Sequence, residues 1–198
     1  MKILDLLDSY RVKSTCFFLG YIARRFPNLV KEAAERGHEI ASHGFYHTPI
    51  DKLNEKEFYD EVYNSKKLLE DISGLQVIGF RAPSFSVAES NPWFFEVLGE
   101  VGYKYDSSIF PAKSISRGGL QNAPIAPFKI NFSGGFLVEF PITVFELLGF
   151  RFCFSGGGYL RFFFILVCKT VWGKSVARGS TFDFLYPSKR NRPRTSQT

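Results

Sequence analysis

Along the first hundred positions the apolar residues switch repeatedly between a helical period and short continuous runs. Ile3, Leu4, Leu6 and Leu7 fall on one stripe of a short helix over residues 1–9. Arg11–Lys13 reads as a turn, and Ser14–Leu19 (STCFFL) as a buried strand. Pro27 suits the first turn of a helix that continues through NLVKEAAER, with Gly37 where a C-cap glycine belongs. His38–Ser42 predicts a second strand. Asn54 and Glu57 form a capping-box-like start to a helix whose stripe is Phe58, Val62, Leu68, Leu69 and Ile72, and Gly74 stops it. Val77–Phe80 predicts a third strand, Asn91–Pro92 opens a helix through Leu98, Tyr103–Tyr105 predicts a fourth strand and Phe136–Phe140 a fifth. Strands that alternate with helices on short connections pair in parallel through right-handed crossovers, so the fold class is α/β, a sheet or a barrel. Such folds gather their chemistry at the carboxyl ends of the strands.

Composition narrows the class. The chain has 198 residues, 45% of them hydrophobic and 22% charged, which is ordinary globular composition and enough length for a real core. Cys16, Cys153 and Cys168 form no CxxC pair and no disulfide framework. The net charge of +6 suggests a nucleic-acid or membrane partner until it is located. Seven basic residues lie beyond position 164 (Lys169, Lys174, Arg178, Lys189, Arg190, Arg192 and Arg194) against the single acid Asp183. Residues 1–164 are therefore neutral, and any electrostatic argument about partners concerns the tail alone. The opening MKILDLLDSYRVKST is amphipathic and acidic, unlike the apolar core of a signal peptide, and Tyr159–Val167 is broken by Arg161 and too short to span a bilayer. A soluble, cytoplasmic protein without a transmembrane segment is the expectation.

Three polar clusters coincide with the predicted strand ends. The second strand runs into SHGFYH, which carries His43 and His47; the third into RAPSF, starting at Arg81; the fourth into Asp106–Ser108. A His-x-x-x-His pair can present two imidazoles to one divalent ion, for which neutral imidazole suits zinc. Loop histidines hydrogen-bonded to backbone are the plainer alternative. His38 precedes an acid within a strand and reads as structural. Arg81 is either a surface ion-pair partner or a guanidinium fixed by the rigid Ala-Pro turn and able to hold a carboxylate bidentately. Asp106 is either an Asx-turn residue or part of a site. Each plain reading is reasonable singly; their coincidence at one landmark weakens all of them together.

The segments GHEIASHGFYH, GFRAPSFS and YKYDSSIFP, in that order, resemble the NodB-like polysaccharide deacetylases, carbohydrate esterase family four, and within it the branch linked to bacterial exopolysaccharide export. The likeness runs from about Leu4 to Phe162 and takes in the later EFP and SGGGYLR segments. It implies a distorted, incomplete (β/α) barrel over residues 1–164 and removal of acetyl groups from N-acetylated, or O-acetylated, sugars of a polysaccharide or oligosaccharide substrate. It further implies a divalent metal, zinc, held by one Asp and two His, with His43 and His47 as the histidines. Arg81 matches the arginine that steadies the catalytic base, and Asp106 the aspartate that supports the catalytic histidine and shapes the pocket.

The resemblance also implies two parts that these residues do not supply. The family's first motif, a strand with paired acids that provides the base and the third metal ligand, precedes the helix that here begins at Met1; Asp5 and Asp8 lie within that helix and cannot replace it. The last motif, with the general-acid histidine, should follow SGGGYLR, yet no histidine occurs after His47. Residues 165–198 read as a basic, poorly packed tail, either naturally disordered or out of frame. Back-translating Tyr186–Gln197 and reading one nucleotide later yields a string like the family's last motif, histidine included, and Phe162–Phe164 is a candidate slippage tract. The expectation is a deacetylase domain truncated at its amino end, frame-disrupted at its carboxyl end and impaired in activity. The competing readings are a non-enzymatic carbohydrate-binding remnant and a basic-tailed nucleic-acid binder, which lacks any recognised motif; no nucleic-acid partner is expected.

Overall fold

The computed structural model describes residues 2–112, 120, 122–147 and 150–153. The expectations for the tail at 165–198 and for the Phe162–Phe164 tract lie outside the described residues.

Helix α1 (Lys2–Ser9) turns Leu4 and Leu7 inward. Ile3 and Leu6, expected on the same stripe, face solvent instead, because a two-turn helix docked along one edge buries only a single i, i+3 row. Strand β1 (Thr15–Phe18) leads directly into α2 (Gly20–Arg25), a helix that the hydrophobic period does not announce. Helix α3 (Pro27–Glu35) follows, with Pro27 in its first turn and Gly37 in the left-handed region at φ +77° just past its end. Arg36 then ties α3 to α1, donating to Asp5 and Asp8 at 2.8 Å each and to Glu32 at 2.5 Å.

Strand β2 (Glu39–Ser42) precedes the longest helix, α4 (Glu55–Ser73). Its capping box forms as predicted, with the Asn54 side chain accepting from Glu57 N and the Glu57 side chain accepting from Asn54 N, both at 2.9 Å. Phe58, Val62, Ser65 and Leu69 form its buried row, one helical face read at i, i+4, i+7 and i+11. Strand β3 (Gly79–Phe80) and helix α5 (Phe94–Val101) come next; Asn91–Pro92 makes a turn ahead of α5, whose first helical residue is Phe94. Strand β4 (Tyr105–Asp106) begins two residues later than the expected Tyr103–Tyr105 and ends one residue later. Tyr103 belongs to the core, where its hydroxyl donates to the Val62 carbonyl of α4 at 3.0 Å.

Strands β5 (Phe128–Phe132) and β6 (Gly135–Glu139) complete a six-stranded sheet in the order β1-β2-β3-β4-β6-β5. Every pairing from β1 to β6 is parallel, and β5 alone runs antiparallel. Strands β7 (Val144–Leu147) and β8 (Phe150–Cys153) pair as a separate antiparallel ribbon. The architecture is α/β with one mainly parallel sheet. Under it Phe58, Phe80, Phe94 and Tyr103 pack ring on ring at centroid distances of 5.1 to 6.1 Å, a core that uses the chain's phenylalanine excess. No described helix is long and apolar enough to cross a membrane.

Candidate active site

The parallel ladder continues one residue past each strand and so brings the predicted clusters side by side. His43 N donates to Phe18 O, Arg81 N to Ser42 O, Ser107 N to Phe80 O and Phe140 N to Asp106 O, at 2.8 to 3.0 Å. His43, Arg81 and Asp106–Ser107 therefore occupy equivalent positions at the carboxyl ends of β2, β3 and β4. Glu139, the last residue of β6, is in register with Asp106.

The loop that carries the histidines is held by α4 from below. Glu61 Oε2 accepts from Phe45 N at 2.6 Å and from Tyr46 N at 3.1 Å, and Oε1 accepts from the Thr48 hydroxyl at 3.4 Å. Ser65 Oγ donates to Gly44 O at 3.0 Å and accepts from Ser42 Oγ at 2.9 Å. Helix α2 holds the same loop from the side, through Gly20 N to Gly44 O and Tyr21 N to Phe45 O, both 2.9 Å. A Cβ at Gly20 would lie 2.5 Å from the Phe45 ring, so this approach of α2 needs glycine. The loop turns back through Gly44 at φ +79° and His47 at φ +61°, a left-handed conformation that a non-glycine residue rarely adopts.

That turn brings the two imidazoles together, edge to face, with centroids 5.1 Å apart. His43 is mostly buried and His47 exposed. His43 Nδ1 lies 2.7 Å from the Arg81 carbonyl oxygen. A carbonyl only accepts, so Nδ1 carries the proton and Nε2 keeps the lone pair. Burial pulls the His43 pKa down to about 4; the charges of His47 and Arg81 push the same way, and the bond to Arg81 O opposes them. The ring is neutral at neutral pH, the form that binds a metal ion. The residues fit a divalent cation in part. Two imidazoles are available, one with its donor nitrogen fixed by a hydrogen bond on the other, but no cluster of three His, Cys, Asp or Glu side chains occurs among the described residues.

Arg81 is positioned from two sides. Its guanidinium lies over the Phe17 ring, 4.2 Å from the centroid, while Nε donates to Ser107 O at 3.0 Å and Nη2 to Ser107 Oγ at 2.6 Å. In these contacts the forked donor grips a serine, where sequence reasoning allowed a bidentate carboxylate. Ser107 Oγ in turn donates to Phe140 O at 2.8 Å, which joins β3, β4 and β6. Burial lowers the Arg81 pKa, and Asp106, Tyr105 and Glu139 oppose it.

Asp106 is fully buried, and its Oδ1 accepts the Ser108 hydroxyl at 2.5 Å. Ser108 Oγ accepts from Ala82 N at 2.7 Å, so the residue after Arg81 is pinned to the residue below Asp106. Glu139 is equally buried and accepts from Ile109 N at 2.9 Å. Burial raises the pKa of both carboxyls, most strongly that of Glu139. Sequence reasoning missed Glu139, Glu61 and Ser65. The signal for Glu139 was an acid set between Val138 and Phe140 in an apolar strand; Glu61 and Ser65 lie three and seven positions after Phe58, toward the face of α4 that meets the loop.

Polar groups collected at one end of a mainly parallel sheet define an α/β domain that carries its chemistry on strand-end loops. Residues 1–105 match the polysaccharide deacetylase family, and the chain belongs to it. Residues 107–186 match a domain of unknown function, DUF3473, whose span runs past position 164. A peptidoglycan-N-acetylglucosamine deacetylase of Bacillus cereus is 36% identical over 89 residues, which are 45% of this chain and 32% of that protein. The peptidoglycan-N-acetylglucosamine deacetylase PgdA of Listeria monocytogenes is 25% identical over 162 residues, 76% of this chain and 34% of that protein. The chain thus spans about a third of the length of these curated relatives. A crystal structure from Mycobacterium smegmatis, assigned to the polysaccharide deacetylases, superposes with a TM-score of 0.63 at 25% identity, over 89% of this chain and 57% of that one.

Proposed function

We propose that this domain serves a metal-dependent hydrolase that removes acetyl groups from N-acetylated sugars of a bacterial polysaccharide, with His43 and His47 holding the ion, zinc in the first instance. The observation that carries this reading is the His43 Nδ1–H bond to Arg81 O, which leaves Nε2 as a fixed, neutral donor beside a second imidazole. When bound, such an ion supplies Lewis acidity to the acetyl carbonyl and lowers the pKa of water. The chain's own residues do the rest of what is visible. Glu61 and Ser65 keep the histidine loop in place, Phe17 and Ser107 orient the Arg81 guanidinium toward the strand ends, and Asp106 supplies a negative charge behind it. The B. cereus and L. monocytogenes relatives act on the N-acetylglucosamine of peptidoglycan by their names, which supports an N-acetylhexosamine polymer as the substrate class.

Turnover by these residues should be low. No described carboxylate joins the two imidazoles, and hydrolysis needs a base and an acid that each contribute typically about 10²–10⁴-fold. Acetate release from N-acetylated chitooligosaccharides tests both parts. Weak release that needs zinc and disappears in His43→Ala and His47→Ala is the expected result. Release that survives either substitution would overturn the ligand assignment, and a rate matching an intact deacetylase would overturn the claim of impairment.

A further inference from the structure

Asp106 and Glu139 are two carboxyl groups, each fully buried, set side by side in register on the adjacent parallel strands β4 and β6. Each has one oxygen that accepts a hydrogen bond: Asp106 Oδ1 from Ser108 Oγ, and Glu139 Oε1 from Ile109 N. The other oxygens, Asp106 Oδ2 and Glu139 Oε2, are buried without a hydrogen-bond partner among the described residues. Two buried anions on paired positions of adjacent strands, each with an orphaned oxygen, would carry both like-charge repulsion and an unsatisfied desolvation cost. One proton placed between the orphaned oxygens removes both, and the two side chains then hydrogen-bond to each other.

The surroundings decide which group keeps the charge. Asp106 Oδ1 accepts the short bond from the Ser108 hydroxyl, and the neighbouring Ser107 N–H dipole favours its anion further; Arg81 favours the anion on either group. Among the described residues Glu139 accepts from Ile109 N alone, with Phe128 of β5 opposite it in the sheet. The charged and titratable groups that act on the pair, among the described residues, are Arg81 from the end of β3 and the two carboxyls themselves. Donors favour the ionised form, so the anion belongs on Asp106 and the proton on Glu139.

We propose that Glu139 is a positioning residue that stays protonated at neutral pH and donates to Asp106 Oδ2, so that a single negative charge, on Asp106, stands against Arg81 at the strand ends. Its role in positioning rests on the deacetylase reading; the proton itself does not. The consequence is asymmetric. Glu139→Gln keeps a neutral donor at the same place and should preserve the arrangement, whereas Glu139→Ala leaves Asp106 Oδ2 without a donor.

Infrared difference spectroscopy on the metal-free chain, with no substrate, reads the proton directly. The wild type should show the carbonyl stretch of a buried carboxylic acid at neutral pH, shifted in heavy water, and Glu139→Gln should lose it while keeping the wild-type fold. Absence of that band in the wild type, or its persistence in Glu139→Gln, would overturn the proposal. If Glu139→Gln fails to fold, the wild-type titration decides. A band that outlasts the ordinary glutamate range, about pH 4.3, supports the proposal, and one that vanishes with that range overturns it. A second readout follows from linkage. The folded chain retains a proton that the unfolded chain releases above that range, so stability falls as pH rises through it, and Glu139→Gln should flatten that fall. A fall of the same slope in both proteins would count against the proposal. Zinc affinity that does not depend on His43 would instead sink the metal assignment and leave this one standing.

Discussion

The hydrogen bond from His43 Nδ1 to the Arg81 carbonyl does two jobs, because it fixes a tautomer and joins the cluster at the end of β2 to the one at the end of β3. Its counterpart below the loop is Glu61, whose carboxylate takes two consecutive backbone N–H groups, Phe45 and Tyr46. Replacing Glu61 by Ala leaves both without that acceptor; water can reach Tyr46 N, but Phe45 is buried, and an unsatisfied buried donor costs about 1–3 kcal/mol. Urea denaturation should show a loss of that order for Glu61→Ala and a smaller one for Glu61→Gln, whose amide oxygen still accepts. Unchanged stability in Glu61→Ala would mean that the loop holds itself. His43, His47, Arg81 and Asp106 were legible as candidates because the strand pattern put them at one landmark. Glu139 was harder to place, since alternation sets it on the face of Leu137 while its charge argues for solvent, and the neighbouring strands show that it is enclosed.

Punctuation by capping residues was the most readable feature at the scale of elements. Asn54, Glu57, Gly37 and Gly74 all sit where helix-end chemistry predicts, because those signals are local and need no partner. Asn54→Ala should therefore destabilise α4 by about 1 kcal/mol, read as a lower denaturation midpoint with an unchanged slope; a wild-type midpoint would contradict the capping role. What the sequence pattern missed depends on tertiary context. Helix α2 is six residues long without a side-chain cap, and its anchor is the backbone of the histidine loop. Strand β4 is displaced because Tyr103 finds its partner in α4. Strand β5 did carry a signal, since Phe128, Ile130 and Phe132 alternate with Lys129 and Asn131, and it pairs antiparallel because only Ser133 and Gly134 separate it from β6.

At the scale of the whole molecule, the sheet order β1-β2-β3-β4-β6 is what converts three scattered sequence clusters into one site. Parallel strands with right-handed crossovers place all their carboxyl ends on the same side, so residues as far apart in sequence as His43 and Glu139 meet through a ladder of backbone bonds. Membership of the polysaccharide deacetylase family and the neutral charge of residues 1–164 support the proposed sugar substrate over a nucleic acid. In the proposed function the strand-end histidines form a cation site with no described carboxylate beside them. Calorimetric titration of zinc into the 198-residue chain and into its His43→Ala and His47→Ala variants tests it most directly. Weak binding at a single site in the unsubstituted chain and loss of that binding in either variant are expected; equal affinity in all three proteins would mean that the histidines hold no ion.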